Sequence, residues 1–277
     1  MKANQFYAKL LTPGLKKFRN RHKGESCYIF GDGPSIKWFD LASFNDHPAI
    51  CCGMMPFHRD FGKLNVKYVM LVAPWLFVPK ILQAALYRDL RLICAEYKLR
   101  MKGMLDKDFF IHVYNRPWLS GHNINYVHRW FPDRCSSTDN LLQSFNLFSG
   151  SFHATLSLAY YLGFAKVYLV GFDGWTLKPA RMSRWYEHGE GELYHATNFA
   201  KDFLAVLENE IDICAITVTG ETSGIKGVLY SEHTGNQAIY NENHQLMDQR
   251  TLDIMRSSPR NNIDNRPNGK ASMFRSV

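Results

Sequence analysis

The chain has 277 residues, 46% of them hydrophobic, and a formal net charge of +8. That apolar share supports a sizeable core and excludes a disordered chain, and no run approaches the 18 apolar residues of a membrane-crossing helix. The charge is lopsided: residues 1–24 hold seven Lys or Arg and no acid, so the remainder is near neutral and offers no broad basic face for nucleic acid.

Residues 1–24 read as an appended arm. Phe6, Leu10, Leu11, Leu15 and Phe18 interleave with Lys9, Lys16, Lys17 and Arg19. This is the pattern of a basic segment lying on an anionic membrane surface, interrupted by Pro13-Gly14; a solvated N-terminus fits as well. Met1 to Lys23 lacks the apolar centre of a signal peptide. A strand is predicted over 26–31, then a helix from about Ile36 with Ser35 as N-cap. Residues 49–53 and 67–73 read as buried parallel strands, 79–87 as helix, 90–95 and 109–113 as strands, and 96–105 as helix. Residues 114–148 are polar with weak periodicity. The segment 151–162 reads as a helix and 166–171 as a strand. Residues 176–195 look like a lid, 196–209 like an amphipathic helix and 212–217 like a last strand. A flexible tail is expected over 256–277. The expected domain is therefore 25–255, an α/β fold with a Rossmann-like, doubly wound, mostly parallel sheet.

The six cysteines, Cys27, Cys51, Cys52, Cys94, Cys135 and Cys214, form no C-x-x-C pair. Four lie in apolar runs, where cysteine behaves as a small buried hydrophobe, so reduced thiols in a cytoplasmic protein and no zinc are expected.

Three loops at the carboxyl ends of predicted strands, or at a helix start, carry candidate chemistry. Gly31-Asp32-Gly33-Pro34-Ser35 follows the first strand. Glycines let backbone N–H groups approach a phosphate, and a helix start favours an anion. The loop is neither G-x-G-x-x-G nor a P-loop. Asp32 repels phosphate but suits a ribose or a base; a plain tight turn is the alternative. Gly150-Ser151 opens the central helix, with Ser151 as a cap and possible anion site. Gly171-Phe172-Asp173-Gly174-Trp175 ends a strand in an acid that orients a ligand hydroxyl or closes an Asx-turn, beside a ring that stacks on a ligand or covers the core. His195 precedes a helix and has the chemistry of a general base, with His188 as competitor.

Taken together, the segments Tyr28 to Lys37, Gly150-Ser151, Leu162-Gly163-Phe164, Val167 to Asp173, and His195 with the helix 198–208 resemble the bacterial lipooligosaccharide sialyltransferases. They also resemble a wider group that includes flagellin-glycosylation factors and a pterin pyrophosphokinase. The resemblance spans residues 26–217 and is poor over 75–145. It implies a variant of the GT-A-like fold and an inverting transfer from a CMP-activated nonulosonic acid, such as CMP-sialic acid, to an oligosaccharide of surface lipopolysaccharide. It implies His195 as the general base. It implies a nucleotide-sugar site from Gly31, Asp32, Gly33, Pro34, Ser35, Gly53, Gly150, Ser151, Phe172, Asp173 and Trp175. The family has Asn where Asp32 stands, and a tyrosine that assists the leaving phosphate where Trp175 stands; Arg184, Tyr186 and Tyr194 in the lid are the substitutes. The family needs no metal or cofactor, forms homo-oligomers, and in part sits peripherally on the inner membrane face, which suits residues 1–24. Two alternatives remain. One is a pyrophosphokinase using ATP and magnesium through Asp32 and Asp173. The other is a non-catalytic carbohydrate-binding protein.

Overall fold

The structure is a computed structural model that describes residues 14–73, 76–77, 91–127, 150–172, 184–186, 201–222 and 224–256. The short apolar runs become strands, and the described residues form one eight-stranded sheet. Its strands are β1 (Ser26–Phe30), β2 (Ala49–Cys52), β3 (Val66–Leu71), β4 (Asp108–His112), β5 (Ile124–Val127), β6 (Lys166–Val170), β7 (Asp212–Thr217) and β8 (Lys226–Leu229). The order is β5-β4-β3-β2-β1-β6-β7-β8, and every neighbouring pair is parallel. The described helices are α1 (Arg91–Lys102), α2 (Ser151–Leu162), α3 (Lys201–Leu207), α4 (Tyr230–Thr234), α5 (Asn243–Leu246) and α6 (Gln249–Arg256).

Both faces of the sheet are covered, which is why its strands read as unbroken apolar runs. In β1, Tyr28 and Phe30 face one core with Ile93, Tyr97, Tyr230 and Leu252. Cys27 and Ile29 face the other, with Leu156, Leu158 and Leu162 of α2 and Leu207 of α3. The chain winds outward from β1 to β5, returns through α2 to β6, and winds outward again to β8. The direction of winding therefore reverses between β1 and β6. This is the doubly wound, Rossmann-like architecture expected of the sequence.

Several local expectations are corrected. In place of the strand expected over 90–95, residues 91–95 are helical. They open α1, because Ile93, Cys94, Tyr97 and Met101 repeat at helical spacing and share one buried face. No helix capped by Ser35 follows the first loop. Residues Pro34–Trp38 make a single 3₁₀ turn whose cap position is Gly33, with Pro34 at its start and Ser35 buried inside it. Ser151 does not cap α2 either; Gly150 holds that position without a side-chain bond. Strands β5 and β8 were not foreseen, since each is four residues long and follows polar sequence. The helix expected over 79–87 and the tail 257–277 lie outside the described residues, as does the lid apart from 184–186. No helix among the described residues is long and apolar enough to cross a membrane.

The appended-arm reading is corrected for residues 14–24. Leu15 and Phe18 belong to the core under α2. The Phe18 ring is fully buried, 5.0 Å from Phe110 and 6.1 Å from Tyr68 between centroids. The N–H groups of Asn20, His22 and Gly24 donate to the carbonyls of Tyr161, Leu162 and Gly163. They thus satisfy carbonyls that the end of α2 leaves without helical partners. Two of the five apolar residues read as membrane-facing are therefore internal. Phe18→Ala is expected to lower unfolding free energy by about 3–5 kcal/mol in urea titrations. The exposed Lys17→Ala should change it by less than about 0.5 kcal/mol. A Phe18→Ala loss under 1 kcal/mol contradicts the core assignment.

Candidate functional site

In open α/β sheets, ligands bind outside the carboxyl ends of the strands where the winding reverses. Here that place is the rim above β1 and β6. It is built by the loop after β1, the turn after β2, the start of α2, the end of β6 and residues 184–186.

The loops after β1 and β6 are zipped together. The Gly31 N–H donates to the Val170 carbonyl at 2.8 Å, and the Gly33 N–H to the Gly171 carbonyl at 2.6 Å. A Cβ on Gly31 would lie 2.5 Å from the Gly171 oxygen and 3.0 Å from the Phe172 ring. This corrects the expected role of these glycines. Their N–H groups are engaged by the neighbouring loop rather than offered to a phosphate. Glycine is required at position 31 because the two loops approach so closely.

Asp32 projects from this zipped pair and is half-buried. Its Oδ1 accepts the Met54 N–H at 2.9 Å, and its main-chain carbonyl accepts the Trp185 N–H at 3.0 Å. Gly53 lies beneath the carboxylate with φ +58°, and a Cβ there would fall 1.7 Å from Asp32 Oδ2. The turn after β2 is therefore shaped around an acid at position 32. Tyr97 of α1 donates from its hydroxyl to the Gly53 carbonyl at 2.6 Å. Pro34 and Ser35 are buried behind the loop.

The start of α2 forms the opposite wall. It has no side-chain cap and no acid in its first turn. Its positive end thus has no capping side chain or acid from its own first turn. Ser151 lies near Cys52 at the end of β2 and partly offsets the upward push of burial on that thiol, which donates to the Phe30 carbonyl at 3.4 Å. The Phe172 ring packs on Phe152, with centroids 5.5 Å apart. Arg184 is exposed, and its charge acts on Cys52. Its Nη1 donates to the Tyr186 hydroxyl at 2.6 Å. Tyr186 itself is buried, and its main-chain carbonyl accepts from Asn243. Tyr186 thus holds Arg184 more readily than it faces a ligand.

Of the nominated residues, Gly31, Asp32, Gly33, Gly53, Gly150, Ser151, Phe172 and Arg184 lie on the elements that meet at this rim. Asp173, Trp175, Tyr194 and His195 lie outside the described residues, as does His188. Reading the sequence missed Tyr97, Met54, Cys52 and Trp185. Their roles come from partners on other elements, and no local motif marks them.

Both signs of charge meet at the rim. Asp32 supplies negative charge over the turn after β2, while Arg184, whose neighbour Trp185 bonds the Asp32 carbonyl, and the α2 start supply positive character at the same rim. Burial and the nearby Asp32 carboxylate push the Cys51 and Cys52 thiols and the Tyr97 hydroxyl well up. All three stay protonated at neutral pH, so neither cysteine is a thiolate nucleophile. Burial lowers His153, in the first turn of α2, and His58, packed on Trp185, to about 4. Both are neutral imidazoles at pH 7.

No protein-family model and no curated protein matches the chain significantly. Among solved structures it is similar to the sialyltransferase CstII from Campylobacter jejuni in complex with a CMP substrate analogue, at 17% identity and a TM-score of 0.41, covering 79% of this chain and 91% of that one. It is also similar to an apo α-2,3-sialyltransferase from Campylobacter jejuni, at 14% identity and a TM-score of 0.42, covering 86% and 95%. A third is sialyltransferase Cst-II with a trisaccharide acceptor and CMP, at 15% identity and a TM-score of 0.40, covering 84% and 99%. Likeness at this level places no ligand and no residue in this chain.

Buried His58 and half-buried His153 set a pH dependence. Their folded pKa values, about 4, lie below the unfolded value of about 6.5, so the unfolded chain takes up protons first on acidification. Stability is unaffected above pH 6.5, falls between about pH 6.5 and 4, and levels off below, by at most ~1.4 kcal/mol per pH unit for each histidine. Denaturant midpoints at pH 7 and pH 5 measure this. The His58→Gln, His153→Gln double variant should lose less between the two pH values than the parent chain. An equal loss contradicts the burial of neutral imidazoles.

Proposed function

We propose that this chain is a glycosyltransferase that moves a nonulosonic acid, sialic acid or a relative, from its CMP ester to a hydroxyl of an oligosaccharide acceptor. The observation that carries the reading is the polarity of the rim at the winding reversal. The rim presents the Asp32 carboxylate, which accepts one hydrogen bond from the Met54 N–H and has acceptor capacity for ligand groups. It also presents Arg184, next to the Trp185 that bonds the Asp32 carbonyl, and the uncapped α2 start. A nucleoside monophosphate ester matches this combination. Its ribose hydroxyls or base amino group suit the carboxylate, and its phosphate suits the guanidinium and the helix start. The sequence resemblance to CMP-dependent sialyltransferases, carried by the segments around Gly31, Gly150 and Gly171, points to the same ligand class.

In this reading the acceptor oxygen forms a bond to the anomeric carbon as the bond to the phosphate oxygen of CMP breaks, with inversion at that carbon. His195 takes the proton of the acceptor hydroxyl, and the electron pair of the broken bond leaves on CMP. Arg184 stabilises the charge that grows on the departing phosphate. Trp175 offers only an N–H donor where the resembled family has a tyrosine, so Arg184 and Tyr194 carry the leaving-group role. Asp173 orients a donor hydroxyl. The pyrophosphokinase alternative needs Asp32 as a magnesium ligand. Thermal shift with CMP against ATP plus magnesium separates it from the transferase.

The test is CMP release from CMP-sialic acid and related donors, with and without oligosaccharide acceptors. His195→Ala is expected to lower turnover by about 10²–10⁴-fold while the Kd for CMP stays within about threefold, since the base contacts the acceptor rather than the nucleotide. Unchanged turnover in His195→Ala removes the base assignment. Absence of CMP binding by the parent chain removes the transferase reading.

A further inference from the structure

The peptide between Gly53 and Met54 is gripped from both sides. Its carbonyl accepts the Tyr97 hydroxyl at 2.6 Å, and its N–H donates to Asp32 Oδ1 at 2.9 Å. In a trans peptide these two groups point in opposite directions, so Tyr97, one peptide plane and the Asp32 carboxylate stand in a row. Gly53 is in the left-handed region at φ +58°, where glycine turns most freely.

We infer that Tyr97 is a positioning residue for the site: acting through the Gly53–Met54 peptide, its hydroxyl fixes where the Asp32 carboxylate stands at the rim. This assignment rests on the transferase reading for its catalytic consequence and on geometry alone for the clamp. Three observations support it. First, Tyr97 is held rigidly. It is 2% exposed, its ring meets Phe57 at 5.0 Å, and its own helix is tied to residues 248–256 by Arg100 to Asp248 and Arg250 to Glu96, each at 2.5 Å. Second, its hydroxyl is a permanent donor, because burial and the Asp32 charge push its pKa well up. Third, a carboxylate at one end of a hydrogen-bonded row polarises the peptide and strengthens the bond at the other end. The space for the Asp32 carboxylate exists only because Gly53 has no side chain, so the tyrosine, the glycine and the acid form one unit drawn from three elements.

Tyr97→Phe keeps the ring and its packing and removes the one donor. The full chain carrying it is compared with the parent in two measurements. In transfer from CMP-sialic acid, KM for the donor should rise about five- to tenfold with kcat within about twofold, the size of effect expected from one buried hydrogen bond acting on ground-state binding. In amide exchange, the Met54 N–H should exchange at least about tenfold faster while amides of Val66–Leu71 are unchanged. A purely structural tyrosine would instead lower the fraction of active enzyme, and hence kcat, without raising KM. Faster Met54 exchange with an unchanged KM overturns the positioning role. Unchanged Met54 exchange overturns the clamp itself. If the parent chain neither binds CMP nor turns over CMP donors, the transferase reading has failed, and Met54 exchange alone then decides for or against Tyr97.

Discussion

The structure depends on the close approach of two strand ends where the winding of the sheet reverses. β1 and β6 are sequence-distant, yet they are sheet neighbours, and their hydrogen bonding continues past their ends through Gly31 to Val170 and Gly33 to Gly171. That continuation leaves no room for a Cβ at Gly31. It pushes Asp32 out as the residue between two anchored glycines. Every other element of the rim takes its place from this seam: the turn after β2 wraps the carboxylate, Trp185 bonds the Asp32 carbonyl, and Phe172 carries the seam across to the start of α2.

A division of labour follows from that geometry. The glycine loop is a structural seam between strands, and its one acid is left at the rim. Positive character comes from the α2 start and Arg184. A ligand with a hydroxyl-rich end and a single phosphate would meet both at once. A bare polyphosphate meets the acid as a repulsion. The same packing that shapes the rim also silences its most nucleophilic groups, since Cys51, Cys52 and Tyr97 are all held protonated by burial beside Asp32. The N-terminal segment acts at the far end of the same helix. Residues 20, 22 and 24 close the carboxyl end of α2, so the helix is fixed at both ends by groups distant in the chain.

Much of this architecture was legible in the sequence, because two-sided burial writes each parallel strand as an apolar run. That signal located β1, β2, β3, β4, β6 and β7. It misled at 90–95, where Leu92, Ile93 and Cys94 look like a strand and only the later Tyr97 and Met101 reveal helical spacing. It was silent for β5 and β8, which are short and lie near polar sequence. The loops of the rim were legible as glycine-bearing strand ends, but the task of each glycine was not. Whether Gly33 donates to a phosphate or to Gly171 depends on a strand more than 130 residues away. Tyr97 was invisible for the same reason: its partner is Gly53, and a tyrosine inside a helix carries no mark of a bond to a distant turn. The basic pattern of residues 1–24 was read as a surface arm because interleaved Phe, Leu and Lys describe either a membrane face or a strap over a core. Phe18 at 0% exposure decides for the core in its own part of that segment.

The central claim is that a nucleoside monophosphate binds on the rim between β1 and β6. It is tested most directly by following backbone amide resonances of the full chain during titration with CMP. The account predicts shifts concentrated at Gly31, Asp32, Gly53, Met54, Ser151 and Phe172. Resonances at the opposite, amino ends of the strands, around Ser26, Lys166 and Asp212, should stay in place. No shifts at millimolar CMP, or shifts centred on that opposite end, would contradict it.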